Sequence, residues 1–150
     1  MNIGVIGGRK STKIGLETAY KIGQEIAKAK DYLICGGYSG IMEEACRGAK
    51  SKKGTTIGIL MFQDKRYMNP YVDIPIVTAM SHARNAIICR SADLLIAIEG
   101  NYGTLSEIGL GLASKKIVIG FNTWDIKGII QTQNMPELIK TYKNMRKKLL

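Results

Sequence analysis

The strongest constraint on the fold is a regular alternation of short apolar runs with longer segments whose apolar residues recur at helical spacing. The apolar runs lie at 3–6, 32–35, 55–61, 74–77, 94–98 and 117–121. The helical segments lie at 13–28, 41–50, 81–90 and 104–113, and Pro136 opens a last one that continues to residue 150. Such alternation is typical of βαβ units around a parallel sheet. We therefore predict a doubly wound α/β fold, a Rossmann-like three-layer sandwich with a mostly parallel sheet between helices on both faces.

Length and hydrophobic content predict one domain over residues 1–150. Of the 150 residues, 45% are hydrophobic, which is enough to bury one continuous core. The first twenty residues contain an apolar run of only five residues, which is too short for a signal peptide or a membrane span. We therefore expect a cytoplasmic protein without a membrane partner.

Basic residues outnumber acidic ones by 22 to 12, which gives a formal net charge of +10. This excess suits either nucleic acid or an anionic metabolite as a partner. The densest basic segments are 50–53 and 140–148, and the second has apolar residues between its charges at helical spacing. We interpret them as solvated helix faces, which makes nucleic acid the less favoured partner.

The cysteines predict neither disulfides nor a metal site. Cys35, Cys46 and Cys89 form no CxxC pair, and their odd number leaves one over. We expect all three to be small buried side chains.

Three glycine-containing turns follow predicted strands and would meet at one edge of the sheet. In a doubly wound sheet the ligand crevice lies outside the carboxyl ends of the strands, where the strand order reverses. These turns are therefore the candidate phosphate-binding segments. Their candidate residues are Gly7, Gly8, Arg9 and Lys10 in the first, Gly36, Gly37, Ser39 and Gly40 in the second, and Gly100, Asn101, Tyr102, Gly103 and Thr104 in the third.

The first two turns carry weak signals when taken alone. The segment GGRKST resembles a phosphate loop, but that loop requires glycine directly before the lysine, and Arg9 stands there. Hydrolysis of a nucleoside triphosphate is therefore not predicted, although Arg9, Lys10 and free amides can line an anion site. The segment GGYSG also fits a purely structural tight turn between a strand and a helix.

The third turn is more informative because a carboxylate follows it by one helical turn. Gly103 and Thr104 would begin a helix and present free amides and a hydroxyl to a phosphate, with Glu107 on the same side. In the alternative interpretation, Glu107 is only the capping-box partner of Thr104.

Two longer segments, GGYSGIMEEACRGA and SHARNAIICRSADLLIAIEGNYGTLSE, resemble the family labelled "possible lysine decarboxylase", which includes the LONELY GUY phosphoribohydrolases. The resemblance covers about residues 1–121. It rests on three blocks: GGGxxGLM, then MHxRK, then an SD-containing strand that runs into PGGxGTxxE. The matching residues are Gly36, Gly37, Gly40 and Met42, then His82 and Arg84, then Ser91, Asp93, Gly100, Gly103, Thr104 and Glu107, with the serine shifted by one position.

Departures from these blocks indicate a branch of the family. Asn85 replaces the lysine of the second block, and Glu99 and Asn101 replace the proline and a glycine of the third. The short chain and the ARN triplet resemble the molybdenum-cofactor carrier proteins, which bind a pterin bearing a phosphate. Glu99 is expected to weaken phosphate binding unless a cation such as Arg9 or Arg84 pairs with it.

The resemblance implies two functions from different classes. As a carrier or sensor, the protein would bind a phosphorylated nucleotide-like or pterin-like molecule, such as a nucleotide or the molybdenum cofactor, with no cofactor required. As an enzyme, it would be a nucleoside 5′-monophosphate phosphoribohydrolase and not a lysine decarboxylase. In that case Glu107 would stabilise the oxocarbenium-like transition state and Arg84 would hold the nucleotide or assist the leaving group. His82 and Asn85 would support ligand binding.

The resemblance also implies a homo-oligomer, either a dimer or a dimer of dimers, paired through helices beside the site. The apolar residues expected there are Ile87, Ile88, Leu110 and Leu112. In the alternative interpretation these residues all face the core.

Overall fold

The computed structural model describes residues 1–150 as a seven-stranded parallel sheet with five α-helices. In chain order the elements are β1 (Asn2–Gly7), α1 (Lys13–Lys28), β2 (Tyr32–Cys35), α2 (Ile41–Ser51), β3 (Thr55–Leu60), β4 (Ile74–Val77), α3 (Asn85–Ser91), β5 (Leu94–Ile98), α4 (Tyr102–Ala113), β6 (Ile117–Phe121), β7 (Ile129–Thr132) and α5 (Met135–Leu149). A single turn of 3-10 helix, Ser81–Arg84, leads into α3.

The strand order is β4-β3-β2-β1-β5-β6-β7, and every neighbouring pair is parallel. The chain builds outward from β1 to β4 and then returns to place β5 on the other side of β1. The order therefore reverses between β1 and β5, where Gly7 pairs with Ile98. This is the doubly wound architecture that the sequence predicts, and it locates the crevice between these two strands.

Apolar residues pack on both faces of the sheet and form two cores. Helices α1, α2 and α5 cover one face in a cluster that includes Ile3, Ile22 and Tyr142. Helices α3 and α4 cover the other face in a cluster that includes Ile88 and Ile108. The central strand β5 is buried along its whole length, since both faces are covered. The cysteine prediction is confirmed, because all three cysteines are buried and free.

The structure differs from the sequence prediction at two elements. Strand β7 was not predicted, because its segment Ile129–Thr132 has only two apolar residues and forms the edge of the sheet beside β6. The predicted helix 81–90 is a 3-10 turn followed by the shorter α3, with a left-handed φ of 51° at Ser81. This break allows Arg84 to stand directly at the N-terminus of α3.

The basic residues concentrate where helices end. Lys28, Lys50 and Arg90 lie in the last turns of α1, α2 and α3, and α5 ends with Arg146, Lys147 and Lys148. Cations there stabilise the negative end of the helix dipole. These helix ends lie at the edge of the sheet opposite the crevice, so a substantial part of the positive charge is remote from it. None of the helices combines the length and the apolar character needed to cross a membrane.

Candidate functional site

Three turns converge above the carboxyl ends of β1, β2 and β5. The turn after β1 contacts the turn after β5, because a Cβ on Gly8 would lie 3.5 Å from the Cα of Gly100. The amide of Ile41, the first residue of α2, donates a hydrogen bond of 3.1 Å to the carbonyl of Gly8. The strand reversal thus brings together segments that are about ninety residues apart in the chain.

The turns after β1 and β5 border a cleft of about 490 Å³, a volume within the range of about 300–1,000 Å³ for small-molecule sites. Ten of the residues predicted from the sequence line it: Gly7, Gly8, Arg9, His82, Arg84, Asn85, Asn101, Gly103, Thr104 and Glu107. Four further residues line it that were not predicted as site residues: Met42, Met61, Phe62 and Ser81.

The N-terminus of α4 presents unpaired amides to this cleft. Asn101 is the N-cap residue and its side chain makes no capping bond. The first backbone bond of the helix runs from the Leu105 amide to the Asn101 carbonyl at 2.9 Å, and the amides of Gly103 and Thr104 have no protein acceptor. A Cβ on Gly103 would meet no atom within 4 Å, and both Gly103 and Thr104 line the cleft. Free amides at the positive end of a helix dipole form a binding site for an anion such as phosphate.

Arg84 and Glu107 form a buried pair at the floor of the cleft. Nη1 of Arg84 lies 3.7 Å from Oε1 of Glu107, and each side chain is 8% exposed. Nη1 also donates a hydrogen bond of 2.6 Å to Oδ1 of Asn85, whose Nδ2 donates to the Ser106 hydroxyl at 3.0 Å. Nε of Arg84 is buried without a hydrogen-bond partner. An unpartnered buried donor beside an open cleft is suited to a polar ligand atom.

Burial shifts the proton affinity of both members of this pair. It raises the pKa of Glu107 from its ordinary 4.5 to about 7, although the charge of Arg84 acts in the opposite direction. Burial also lowers the pKa of Arg84, and the carboxylate of Glu107 opposes that shift. A carboxyl group with a pKa near neutrality can exchange a proton at physiological pH, which is a property of general acids and bases.

The capping-box interpretation of Glu107 is wrong. Helix α4 begins at Tyr102, so Thr104 lies within the first turn and is not the N-cap residue. The structure shows no hydrogen bond between Glu107 and the helix N-terminus, and its carboxylate faces Arg84.

Arg9 supplies a second guanidinium group at the cleft. Its Cζ lies 5.0 Å from the centre of the Tyr38 ring, and the Cζ of Arg84 lies 6.0 Å from the same ring. Arg9 forms no ion pair, and its Nη2 makes only a weak contact of 3.4 Å with the sulfur of Met61. The charge of Arg9 is therefore available to an anionic ligand.

Glu99 does not act as the sequence suggests. Its carboxylate accepts a hydrogen bond of 2.9 Å from the amide of Thr12 and another from the hydroxyl of Thr12, at the N-terminus of α1. Neither Arg9 nor Arg84, the cations that could have offset its charge, forms an ion pair with it. The positive end of the α1 dipole stabilises this carboxylate instead, so it does not depend on a cation of the cleft.

The remaining predicted residues lie outside the lining of the cleft. Lys10 and Gly40 border a neighbouring groove, and Ser39 and Tyr102 are exposed. Gly36 lies under Arg84, since a Cβ there would come within 2.7 Å of Nη2. Gly37 and Gly100 have left-handed φ angles of 80° and 94°, which glycine adopts without strain. These three glycines give the turns their tight backbone geometry.

Only one of the four additional lining residues had a sequence signal. Met42 belongs to the block that resembles GGGxxGLM, whereas Met61 ends the apolar run 55–61 and Phe62 follows it directly. Ser81 precedes the matched His82 but is not itself part of a motif. The positions of Met61, Phe62 and Ser81 depend on how the segments after β3 and β4 cross the sheet edge.

Comparison with known proteins identifies the chain's relatives. A model of the SLOG cluster4 family matches residues 1–149. The structure of the molybdenum cofactor binding protein from Rippkaea orientalis is 35% identical, with a TM-score of 0.90 over 97% of this chain and 96% of that one. The molybdenum cofactor carrier protein from Chlamydomonas reinhardtii is 32% identical, with a TM-score of 0.87 over 97% of this chain and 98% of that one.

A curated relative carries the name of an enzyme. The Oryza sativa subsp. japonica protein named "Probable cytokinin riboside 5′-monophosphate phosphoribohydrolase LOGL9" is 30% identical over 105 residues, which are 68% of this chain. The match spans only 45% of the length of that protein.

Proposed function

The chain belongs to the SLOG cluster4 family, and we propose that it binds a phosphorylated, nucleotide-like or pterin-like small molecule in the cleft between β1 and β5. Similarity to molybdenum cofactor binding and carrier proteins over nearly the whole chain supports a small-molecule ligand. The observation that carries the proposal is the N-terminus of α4. Its unpaired amides at Gly103 and Thr104 open into the cleft, where they are suited to hold the phosphate.

The surrounding side chains suit the rest of such a ligand. The guanidinium groups of Arg9 and Arg84 provide positive charge, and Asn85 and Asn101 provide amide donors and acceptors. The unpartnered Nε of Arg84 fits an acceptor atom of the ligand. No group of three His, Cys, Asp or Glu side chains in the chain is arranged to hold a metal ion.

We predict that a negative charge at Gly103 blocks phosphate binding. Replacing Gly103 with Asp places a carboxylate in front of the α4 amides, and we expect the affinity for ribose 5-phosphate to fall at least about tenfold, or about 1.4 kcal/mol. Gly103→Asn is the matched control, because it has nearly the same shape without the charge. Isothermal titration calorimetry measures both variants. Equal affinities of the Asp and Asn variants would contradict a phosphate at this position.

The alternative function is phosphoribohydrolase activity on nucleoside 5′-monophosphates. It is favoured by one specific observation, the buried Arg84–Glu107 pair with a Glu107 pKa of about 7. Such a carboxylate can stabilise a ribosyl cation or activate water, and Arg84 can hold the nucleotide. Release of free base from nucleoside 5′-monophosphates distinguishes the functions, since a binding protein leaves its nucleotide intact.

We also propose that the protein is a homo-oligomer paired through the outer face of α4. In a chain with 23% charged residues, α4 has only one, and that residue is the buried Glu107. The exposed positions of α4 are Tyr102, Gly103, Ser106, Gly109, Leu110 and Ala113. Of the residues expected at an interface, Ile88 is fully buried in the core, whereas Leu110 is 37% exposed.

Light scattering is expected to give a mass of at least twice 16.5 kDa for the wild type at micromolar concentration. Leu110→Glu adds a charge to the proposed interface and is expected to give the monomer mass. Lys13→Glu, on the exposed start of α1, is the control for a glutamate introduced away from α4 and should retain the oligomer. A monomeric wild type would exclude this arrangement.

A further inference from the structure

A second cavity of about 380 Å³ adjoins the cleft. It lies between the segment that follows β3 and the segment that follows β4. Met61, Phe62 and Ser81 line both volumes, so one ligand can extend from the cleft into the second cavity. The residues specific to the second cavity are Gln63, Asp64, Arg66, Tyr67 and Ala79.

Aromatic rings form the apolar part of this cavity. The rings of Phe62 and Tyr67 are 5.7 Å apart and inclined at 66°, and Tyr38 contacts Phe62 from the other side at 5.6 Å. Phe62 is nevertheless 39% exposed and Tyr67 is 73% exposed. Exposed aromatic surface within a concave site is suited to stacking against a planar ring.

The walls of the cavity are held by hydrogen bonds. The amide of Ala79 donates to the carbonyl of Phe62 at 3.1 Å, and the amide of Ser81 donates to the carbonyl of Met61 at 3.0 Å. The amide of Met61 also donates to the buried hydroxyl of Tyr38 at 2.9 Å. These bonds fix the backbone on both sides of the cavity before a ligand enters.

Backbone strain is concentrated at the same cavity. Tyr67, Ala79 and Ser81 have left-handed φ angles of 65°, 54° and 51°, which are unfavourable for residues other than glycine. Only eight residues other than glycine have a positive φ in this chain, and three of them line this one cavity. Strained positions of this kind cluster at ligand clamps and active sites.

Polar groups at the rim complete the recognition surface. Asp64 and Arg66 form an exposed ion pair at 2.7 Å, and Gln63 stands beside them. Together they offer a carboxylate, a guanidinium and an amide. This set can exchange hydrogen bonds with the edge of a nitrogen heterocycle whose faces contact the aromatic rings.

We propose that this second cavity binds the planar ring of the ligand, a purine or a pterin, while the phosphate lies at the N-terminus of α4. The inference rests on the proposed function, because it assigns the other end of the same ligand. Aromatic stacking and edge hydrogen bonds would supply the affinity for the ring, whereas the amides of α4 would supply affinity for phosphate only.

The test compares ligands with and without a ring. Ribose 5-phosphate, guanosine 5′-monophosphate and the phosphate ester of 6-hydroxymethylpterin are titrated into the wild type, Tyr67→Ala and Phe62→Leu. Tyr67 is largely exposed, so its removal leaves folding intact, and Phe62→Leu keeps an apolar side chain against Tyr38. Tyr32→Ala is the matched control, because Tyr32 is a half-exposed aromatic residue at the opposite edge of the sheet.

For the wild type we expect at least one ringed ligand to bind about tenfold or more tightly than ribose 5-phosphate. Tyr67→Ala and Phe62→Leu should each remove most of this difference. Tyr67 lines only the second cavity, so Tyr67→Ala should also change the affinity for ribose 5-phosphate less than about threefold. Tyr32→Ala should change neither affinity. If the ring adds no affinity, or if both cavity variants retain the affinity difference between ringed ligands and ribose 5-phosphate, the proposed ring site is contradicted. The proposed phosphate site is not affected by that result. A wild type that binds none of the three compounds contradicts the proposed function and the ring site together.

Discussion

Replacing Glu107 with glutamine is expected to change the free energy of unfolding in a pH-dependent way. The difference between variant and wild type should be about 3 kcal/mol more favourable to the variant at pH 8 than at pH 4. The reason is the raised pKa of Glu107, about 7 in the folded protein against an ordinary value of 4.5. Folding favours the protonated carboxyl, so its contribution to stability is full below pH 4.5 and is lost as the pH rises through 7. Glutamine does not titrate and therefore avoids this loss.

Urea unfolding of both proteins between pH 4 and pH 8 measures the effect as a difference. Other carboxylates titrate equally in the two proteins, so their contributions cancel. Glu17→Gln is the control, because Glu17 lies on the exposed face of α1 and its loss should give a pH-dependent difference below about 1 kcal/mol. A difference for Glu107→Gln that does not vary with pH would show that the carboxyl is not destabilised by its burial.

The same substitution separates the two candidate functions. If the wild type releases base from nucleoside 5′-monophosphates, Glu107→Gln should lower turnover by about 10² or more, because the amide lacks the charge that stabilises the transition state. Phosphate binding at α4 should persist in this variant. Turnover that survives the substitution would exclude Glu107 from the mechanism, and a wild type that binds a phosphorylated ligand without base release would exclude the enzyme.

Replacing Asp31 with alanine is expected to lower the free energy of unfolding by about 3 kcal/mol or more. The Asp31 side chain is 1% exposed and accepts hydrogen bonds from Arg146 Nε at 2.6 Å and from the Tyr142 hydroxyl at 3.0 Å. These contacts join the turn before β2 to helix α5. Alanine would leave the buried Tyr142 hydroxyl without an acceptor and would remove the carboxylate that pairs with Arg146 and with the N-terminal ammonium, which costs more than the net strength of the bonds themselves.

Urea unfolding at pH 7 measures this loss, and Asp125→Ala, at an exposed carboxylate without an ion pair, is the control. Burial by itself would raise the pKa of Asp31, but hydrogen bonds from Arg146 and Tyr142 outweigh burial and hold the pKa below its usual value. The stabilisation is therefore present above pH 3.8 and is lost as the pH falls below that value. A wild-type advantage that persists unchanged at pH 2 would contradict this account.

Glu99 shows how a chain can carry a carboxylate beside the proposed phosphate site. The sequence places it next to the third glycine turn, where repulsion of an anion is the natural expectation. In the structure, Thr12 and the N-terminus of α1 bind the carboxylate. The two helix N-termini at the strand reversal therefore have different roles, since α1 holds an internal anion and α4 is open.

Local signals predicted most of the fold. The strands at 32–35, 74–77, 94–98 and 117–121 and the helix at 13–28 have the predicted bounds. The strands in the middle of the sheet are buried between two helical layers and must be apolar on both faces, so they stand out as continuous runs. Both edge strands lack that requirement: β4 was still predicted from Ile74, Ile76 and Val77, whereas β7 has only two apolar residues and its segment is not predicted as a strand. The 3-10 turn at Ser81 was missed because its left-handed backbone is held by Met61, a residue distant in the chain.

The sequence by itself determined the architecture and the edge at which the site lies, because parallel strands bring all their carboxyl ends, and the glycine turns that follow them, to the same side. The tertiary structure decided which turns share the cleft, since that depends on the reversal of strand order between β1 and β5. It also decided the properties of individual groups: the pKa of Glu107, the partner of Glu99 and the aromatic cavity around Phe62. Each of these arises from burial and from contacts between residues far apart in the chain, which local spacing does not encode.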